Sequence, residues 1–254
     1  MSTNLVPAHH DQHTDHPPGH HHGHTHAHAH TNHLAHPQHH THHVIITQTR
    51  PEHVQALADA QRLAFPTLVD DELISVPKYL KHLDLFPEGQ IVALVRENGR
   101  EIAVGSTSTF RTNFDFINNH HTFMEAIADG WLTNHEPHGQ WLYGADMSVH
   151  PKYRGLKLGR KLYDARRELV RRLNLRGEVA GALFPGYEQY KEQMTIAQYV
   201  LQVHQAKLFD PTLSVQIRNG FRVRGIMYDH ISDSRSDNAA ALIVRENPFY
   251  SPRG

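Results

Sequence analysis

The sequence predicts an α/β (α+β) chain in which an antiparallel meander of strands feeds a strand–loop–helix unit. Three observations carry this prediction. Gln90–Arg96 (QIVALVR) and Ile102–Thr109 (IAVGSTST) are β-rich runs on either side of Asn98-Gly99, the dipeptide that best supplies the two positive φ angles of a tight hairpin. Trp141–Val149 is a third such run, closed by His150-Pro151, where proline has no N–H to give to a ladder. Beyond it a basic, glycine-containing loop, Lys152–Gly159, opens a helix. In that helix Leu158, Leu162, Ala165, Leu169 and Leu173 recur at steps of three or four and form one apolar stripe.

The remaining elements follow in order. Val44–Gln48 (VIITQ) reads as the first strand. Thr49-Arg50-Pro51-Glu52 has the form of a capping box with proline in the first turn. It predicts a helix to about Phe65, with Val54, Leu57, Ala58 and Gln61 on its inner face and Pro66 stopping it. A second helix runs from Ser75-Val76-Pro77 to Phe86-Pro87. Residues 114–140 interrupt the meander and carry His120, His121, His135 and His138 together with Asp115, Glu125, Asp129 and Glu136. This reads as a loop-plus-helix lid whose acidity suits a cationic ligand. Gly177–Leu183 is a small-residue strand, Thr195 caps a helix over Ile196–Leu208, and Phe221–Ile226 and Ala239–Arg245 are the last strands.

Composition narrows the classes of function. Lys and Arg number 25 against 26 Asp and Glu, so no global field recruits nucleic acid or an anionic membrane. Asp164 and Glu168 lie three or four residues from Arg167, Arg171 and Arg172, which makes much of the basic run an ion-paired surface. With no cysteine in the chain, disulfides, thiolate zinc sites and a cysteine nucleophile are all excluded. No secretory signal and no 18-residue apolar run is visible, so the expected location is cytoplasmic.

Residues 1–43 hold 17 of the 26 histidines, and their few large apolar side chains predict a disordered arm. Within it His20, His21, His22, His24, His26, His28 and His30 offer neutral imidazoles to Ni²⁺, Zn²⁺ or Cu²⁺. Such an arm either stores or senses metal, or binds it only incidentally.

The segment Trp141–Leu173 carries most of the chemistry. Peptide N–H groups at a helix N-terminus, ringed by Lys152, Arg154, Lys157, Arg160 and Lys161, form a ready anion site. Neither G-x-x-x-x-G-K-[ST] nor G-x-G-x-x-G occurs, so the P-loop and dinucleotide fingerprints are absent. With Val149, Pro151, Tyr153, Arg154, Gly155 and Gly159 in place, the stretch resembles the V-x-P-x-Y-R-G-x-G-x-G signature of the GNAT N-acetyltransferase superfamily. Lys157 stands where the middle glycine belongs. LNLRGEVAGALFPGY (Leu173–Tyr187) and DPTLSVQIRNGF (Asp210–Phe221) extend the resemblance. They look like the acyltransferase domain that some bacteria fuse to a nitrilase-type amidohydrolase. The resemblance spans roughly Val44 to Pro248.

This resemblance implies a mixed, mainly antiparallel central sheet flanked by helices, the GNAT acyl-CoA acyltransferase fold, as one domain over 44–254. It also implies acetyl-CoA as cosubstrate and acyl transfer to an amine by direct attack. The backbone of Met147, Ser148 and Val149 would align the thioester, and Arg154, Gly155, Leu156, Lys157, Leu158, Gly159 and Arg160 would hold the pyrophosphate. Some members place a glutamate on this strand, in the slot that Tyr143 fills here; Asp146 is the strand's only carboxylate and the better candidate base, with Glu178 an alternative. The tyrosine slot before Gly220-Phe221 is Gln216, which leaves Tyr187, Tyr190, Tyr228 or water as proton donor. Partners would be acyl-CoA and a small-molecule or peptide amine, with neither nucleic acid nor membrane and with a homodimer left open. Two other classes compete: a non-catalytic acyl-CoA-binding module of the same fold, and a metal-binding protein centred on the arm.

Overall fold

The computed structural model describes residues 43–118 and 120–252; the histidine cluster of the arm lies outside them. Seven strands form one sheet in the order β1 (His43–Gln48), β2 (Gln90–Glu97), β3 (Arg100–Thr112), β4 (Trp141–Val149), β5 (Gly177–Ala182), β7 (Ala240–Glu246), β6 (Arg222–Met227). Every neighbouring pair is antiparallel except β4–β5. The β2–β3 hairpin turns on Asn98 (φ 50°) and Gly99 (φ 77°), as the dipeptide predicts.

Helices α4 (Leu158–Arg172), α5 (Ile196–His204) and α6 (Leu213–Arg218) cover one face. There Leu158 and Leu162 meet Ile91, Ala93, Val95 and Val104, while Tyr199, Val200 and Leu213 pack on Ala180, Ala182 and Ile243. On the opposite face lie α1 (Val54–Ala64) and α2 (Val76–Leu85), with Leu57, Ile74 and Tyr79 against Val92 and Leu94. The 114–140 insertion shares that face: Ile127 and Leu132 pack with Phe110, Tyr143, Val179 and Leu242. Among its described residues the insertion has one helix, α3 (Phe123–Ala126), capped by Thr122 with Glu125. Two fully buried aliphatic side chains make the insertion part of the core, at about 1.5–3 kcal/mol each.

Three expectations need correction. The capping box at Thr49 does not form, because the Thr49 N–H bonds Gln90 O at 2.8 Å and prolongs the sheet; α1 starts at Val54, after a 3₁₀ turn. The helix after Thr195 ends at His204, since Ala206 turns left-handed (φ 57°) well short of Leu208. His43, assigned to the arm, is the first residue of β1.

Beneath β4 and β5, Glu178 lies 3.0 Å from the Arg166 guanidinium and is bonded by Arg245, all three nearly inaccessible to solvent. The Arg166 guanidinium packs on the α-carbon of Gly144, leaving no room for a Cβ. Gly144→Ala is therefore expected to destabilise the chain by about 2–4 kcal/mol in denaturant titration, because shifting one member of a buried ion cluster strands the others. A change below 0.5 kcal/mol would show that the cluster yields freely.

Candidate active site

The sheet splits where β4 and β5 run side by side. They pair only at Trp141↔Gly177, Leu142↔Glu178 and Tyr143↔Val179, whereas β4 stays paired to β3 as far as Val149. From Gly144 onward β4 has no partner strand on its β5 side, so that edge is open. Met147, Ser148 and Val149 lie on this open stretch.

A bulge sets what β4 presents on either face. Ser108 pairs with Asp146 and Thr109 with Gly144, so Ala145 is the extra residue. Tyr143 and Ala145 pack toward the insertion, Gly144 toward Arg166 of α4. The bulge resets the alternation, and Asp146 turns to the α1 face, where Gln61 Nε2 donates to its Oδ1 at 2.9 Å. Gln61 Oε1 in turn accepts the Ile74 N–H at 2.7 Å, which fixes the amide orientation. Burial raises the Asp146 pKa to about 6, against the opposing effect of Gln61, the Ser148 hydroxyl, the Met147 N–H and Arg166. The group is thus poised to take up a proton near neutrality.

The open edge leads into the loop. Tyr153 anchors it, its ring buried and its hydroxyl donating to Glu97 at 3.2 Å. Leu156 and Leu158 also face the core, so they can offer a ligand only their backbone. Gly155 takes φ +89° and Lys157 φ +58°. Lysine therefore holds the left-handed turn that glycine would favour, at a strain of about 1–2 kcal/mol. Among the described residues no side chain caps the helix, and the N–H groups of Leu158, Gly159 and Arg160 meet no backbone acceptor. A Cβ on Gly155 or Gly159 would point into open space.

Among the described residues Arg154, Lys157, Arg160 and Lys161 form no ion pair. In contrast Lys152, Arg166, Arg167, Arg171 and Arg172 are matched by Glu97, Glu178, Asp164, Glu168 and Glu88. Unpaired cations at a helix N-terminus oppose its dipole, an arrangement that a bound anion relieves. The loop residues thus fit a pyrophosphate.

The other sequence-predicted groups divide. Tyr143 faces the insertion, stacked on Phe110, its hydroxyl 3.4 Å from His121 Nε2. Burial holds its phenol far above the ordinary value, so it keeps its proton and cannot serve as a base. Glu178 lies on the α4 face inside the ion cluster, away from Asp146. Tyr187 donates to Met194 O at 3.1 Å, and Gln216 sits on α6 beside Tyr163. The acidic residues of the insertion close its own turns: Asp115 accepts from Ile117 and Asn118, Glu125 from Thr122, Glu136 from Asn113. No cluster able to hold a metal occurs among the described residues, and none of their helices is long and apolar enough to cross a membrane. Sequence reasoning passed over His230, in the β6–β7 loop, because no motif surrounds it.

No family model matches the chain. The chain is 33% identical over 198 residues to the uncharacterized N-acetyltransferase YkwB of Bacillus subtilis, covering 78% of this chain and 86% of YkwB. This chain belongs to the GNAT N-acetyltransferase superfamily. It is 37% identical over 211 residues to the probable hydrolase YhcX of Bacillus subtilis, covering 83% of this chain, and it spans 40% of that protein's length. Two solved structures show the same GNAT fold. The loading GNATL domain of CurA from Lyngbya majuscula superposes with TM-score 0.68 at 15% identity, covering 81% of this chain and 98% of that domain. The GphF GNAT-like decarboxylase in complex with isobutyryl-CoA gives TM-score 0.63 at 19% identity, covering 80% and 99%. The GNAT signature residues run from Val149, the last residue of the open strand, through Pro151, Tyr153, Arg154 and Gly155 in the turn to Gly159 in the first turn of α4.

Proposed function

We propose that the folded unit is an acyl-CoA-dependent N-acyltransferase that moves an acetyl group from acetyl-CoA to an amine by direct attack. The observation carrying this reading is the continuity of an open β4 edge with a helix N-terminus ringed by unpaired cations. Arg154 to Arg160 would hold the pyrophosphate through peptide N–H groups and the Arg154, Lys157 and Arg160 side chains. The backbone of Met147, Ser148 and Val149 would align the pantetheine arm and polarise the acyl carbonyl. Asp146 receives the proton of the acceptor ammonium, and Tyr143 donates a hydrogen bond on the insertion side. No cysteine is available, so the acyl group passes without a thioester on the protein. The chain would work as a cytoplasmic protein.

A second reading, a non-catalytic acyl-CoA-binding module, draws on Gln216, which occupies the family's tyrosine slot and cannot donate a proton from a hydroxyl. The arm is a separate proposal, an Ni²⁺, Zn²⁺ or Cu²⁺ binder dispensable for transfer. Calorimetry on residues 44–254 should show micromolar acetyl-CoA binding. Thiol release with a panel of polyamines, amino acids and peptides should then separate enzyme from module. Binding without turnover on every amine favours the module; loss of binding on removal of residues 1–43 would overturn the peripheral role of the arm.

A further inference from the structure

One buried group beside the β4–β5 split has a lone pair that the fold leaves unmatched. His230 is 2% exposed. Its Nδ1 lies 2.7 Å from the carbonyl oxygen of His121, and because a carbonyl only accepts, Nδ1 carries the ring proton. Nε2 is therefore the basic nitrogen, and it is buried with no hydrogen-bond partner among the described residues. It points at β5: a Cβ on Gly181 would sit 2.7 Å from it. Gly181 follows Val179, the last β5 residue paired with β4, so the nitrogen overlooks the stretch where the strands have parted.

The ring is held firmly. The His230 N–H bonds Asn238 O at 2.8 Å, and its carbonyl accepts from Phe123 N at the start of α3. His121 meets the ring edge to face at 5.3 Å. The ionisable groups facing it are His121 and His120 of the insertion, with Tyr143 of β4 in contact with His121. The α1–α2 segment closes the same region, through Glu72 accepting from the Ser232 N–H at 3.0 Å and Thr67 donating to Asp233.

We infer that His230 Nε2 is a proton relay of the transfer reaction, passing a proton from the attacking amine to the departing sulfur. This rests on the transferase reading. The neutral amine, its first proton already given to Asp146 or water, forms the C–N bond, and the acyl carbonyl takes up the electron pair. Nε2 then accepts the extra N–H proton of the tetrahedral species. As the carbonyl re-forms and the C–S bond breaks with its pair on sulfur, Nε2–H returns that proton to the thiolate. The products are an amide, a thiol and a neutral imidazole. Burial, reinforced by His121 and His120, holds the ring pKa at about 4 against the opposing His121 hydrogen bond, so the imidazolium hands its proton on readily. The relay supplies the proton transfer that Gln216, on the opposite face of the sheet, cannot.

The test uses the full chain with acetyl-CoA and the best amine of the panel. In His230→Gln, kcat should fall about 100- to 1000-fold with acetyl-CoA affinity within about twofold of wild type. In His230→Ala, added imidazole should restore part of the rate, which a mere latch for the insertion would not allow. Nitrogen NMR of histidine-labelled wild type reads the tautomer without any variant, and a proton on Nε2 at neutral pH would overturn the assignment. Turnover in His230→Gln within threefold of wild type, or no imidazole rescue in a folded His230→Ala, overturns the relay alone. Acetyl-CoA binding with no turnover in wild type overturns the transferase reading, and the relay with it.

Discussion

Replacing Gly159 by glutamate is expected to abolish acetyl-CoA binding while slightly raising the melting temperature. The two effects have opposite signs because one residue serves two electrostatic masters. In the free chain a Cβ at position 159 meets nothing within 4 Å, so the fold tolerates a side chain there. A carboxylate in the first turn complements the helix dipole and the unpaired Arg154, Lys157 and Arg160, at about 0.3–1 kcal/mol. Exchanging glycine for a better helix former adds about 0.5 kcal/mol. Together these should raise the Tm by about 2–4 °C. The same carboxylate fills the space and neutralises the cations that a pyrophosphate would use. A loss of at least about 100-fold in affinity, or about 2.7 kcal/mol, should follow. Calorimetry and thermal melting of one variant read both signs. Unchanged affinity would place the coenzyme elsewhere.

Asp146→Asn should trade activity for stability. Burial raises the Asp146 pKa from 3.8 to about 6, so the native chain holds a proton that the unfolded chain has lost between those values. Stability therefore falls as pH rises from about 4 to about 6 and levels off above, a total cost on the order of 2–3 kcal/mol. Asparagine removes that cost, keeps Oδ1 as acceptor for Gln61 and puts an amide where Oδ2 has no partner. The variant should match wild type near pH 4 and exceed it by up to about 2–3 kcal/mol at pH 8. If Asp146 is the base, kcat falls about 100- to 10,000-fold, and the wild-type rate rises through about pH 6 to a plateau. Urea titrations at the two pH values and a pH–rate profile test this. A variant whose stability advantage over wild type is no larger at pH 8 than at pH 4 would remove the buried-carboxylate argument.

Much of the fold is legible in residue order. Asn98-Gly99 fixes the hairpin, His150-Pro151 ends β4, the leucine stripe from Leu158 makes α4, and Thr195 caps α5. Each is a local signal, carried by residues within one or two turns of one another. The six-residue helix α6 has too few turns to display a periodicity. Thr49 shows the opposite failure, a correct local pattern overridden by a sheet bond to Gln90, a residue distant in sequence.

The basic loop before α4 is readable for the same local reason. Its glycines, cations and helix start are contiguous, so the sequence alone determined that a glycine-containing turn, a run of cations and a helix N-terminus come together there. The surroundings of Asp146, His230 and Glu178 depend on contacts that only the folded chain makes. The bulge at Ala145 turns Asp146 toward Gln61, 85 positions away. The carbonyl of His121, 109 positions from His230, sets that ring's tautomer. Glu178, the alternative carboxylate in the sequence, is drawn into an ion cluster by Arg166 and Arg245. A side chain's type is written in the chain; its pKa, orientation and partners come from groups that only packing brings within a few ångströms.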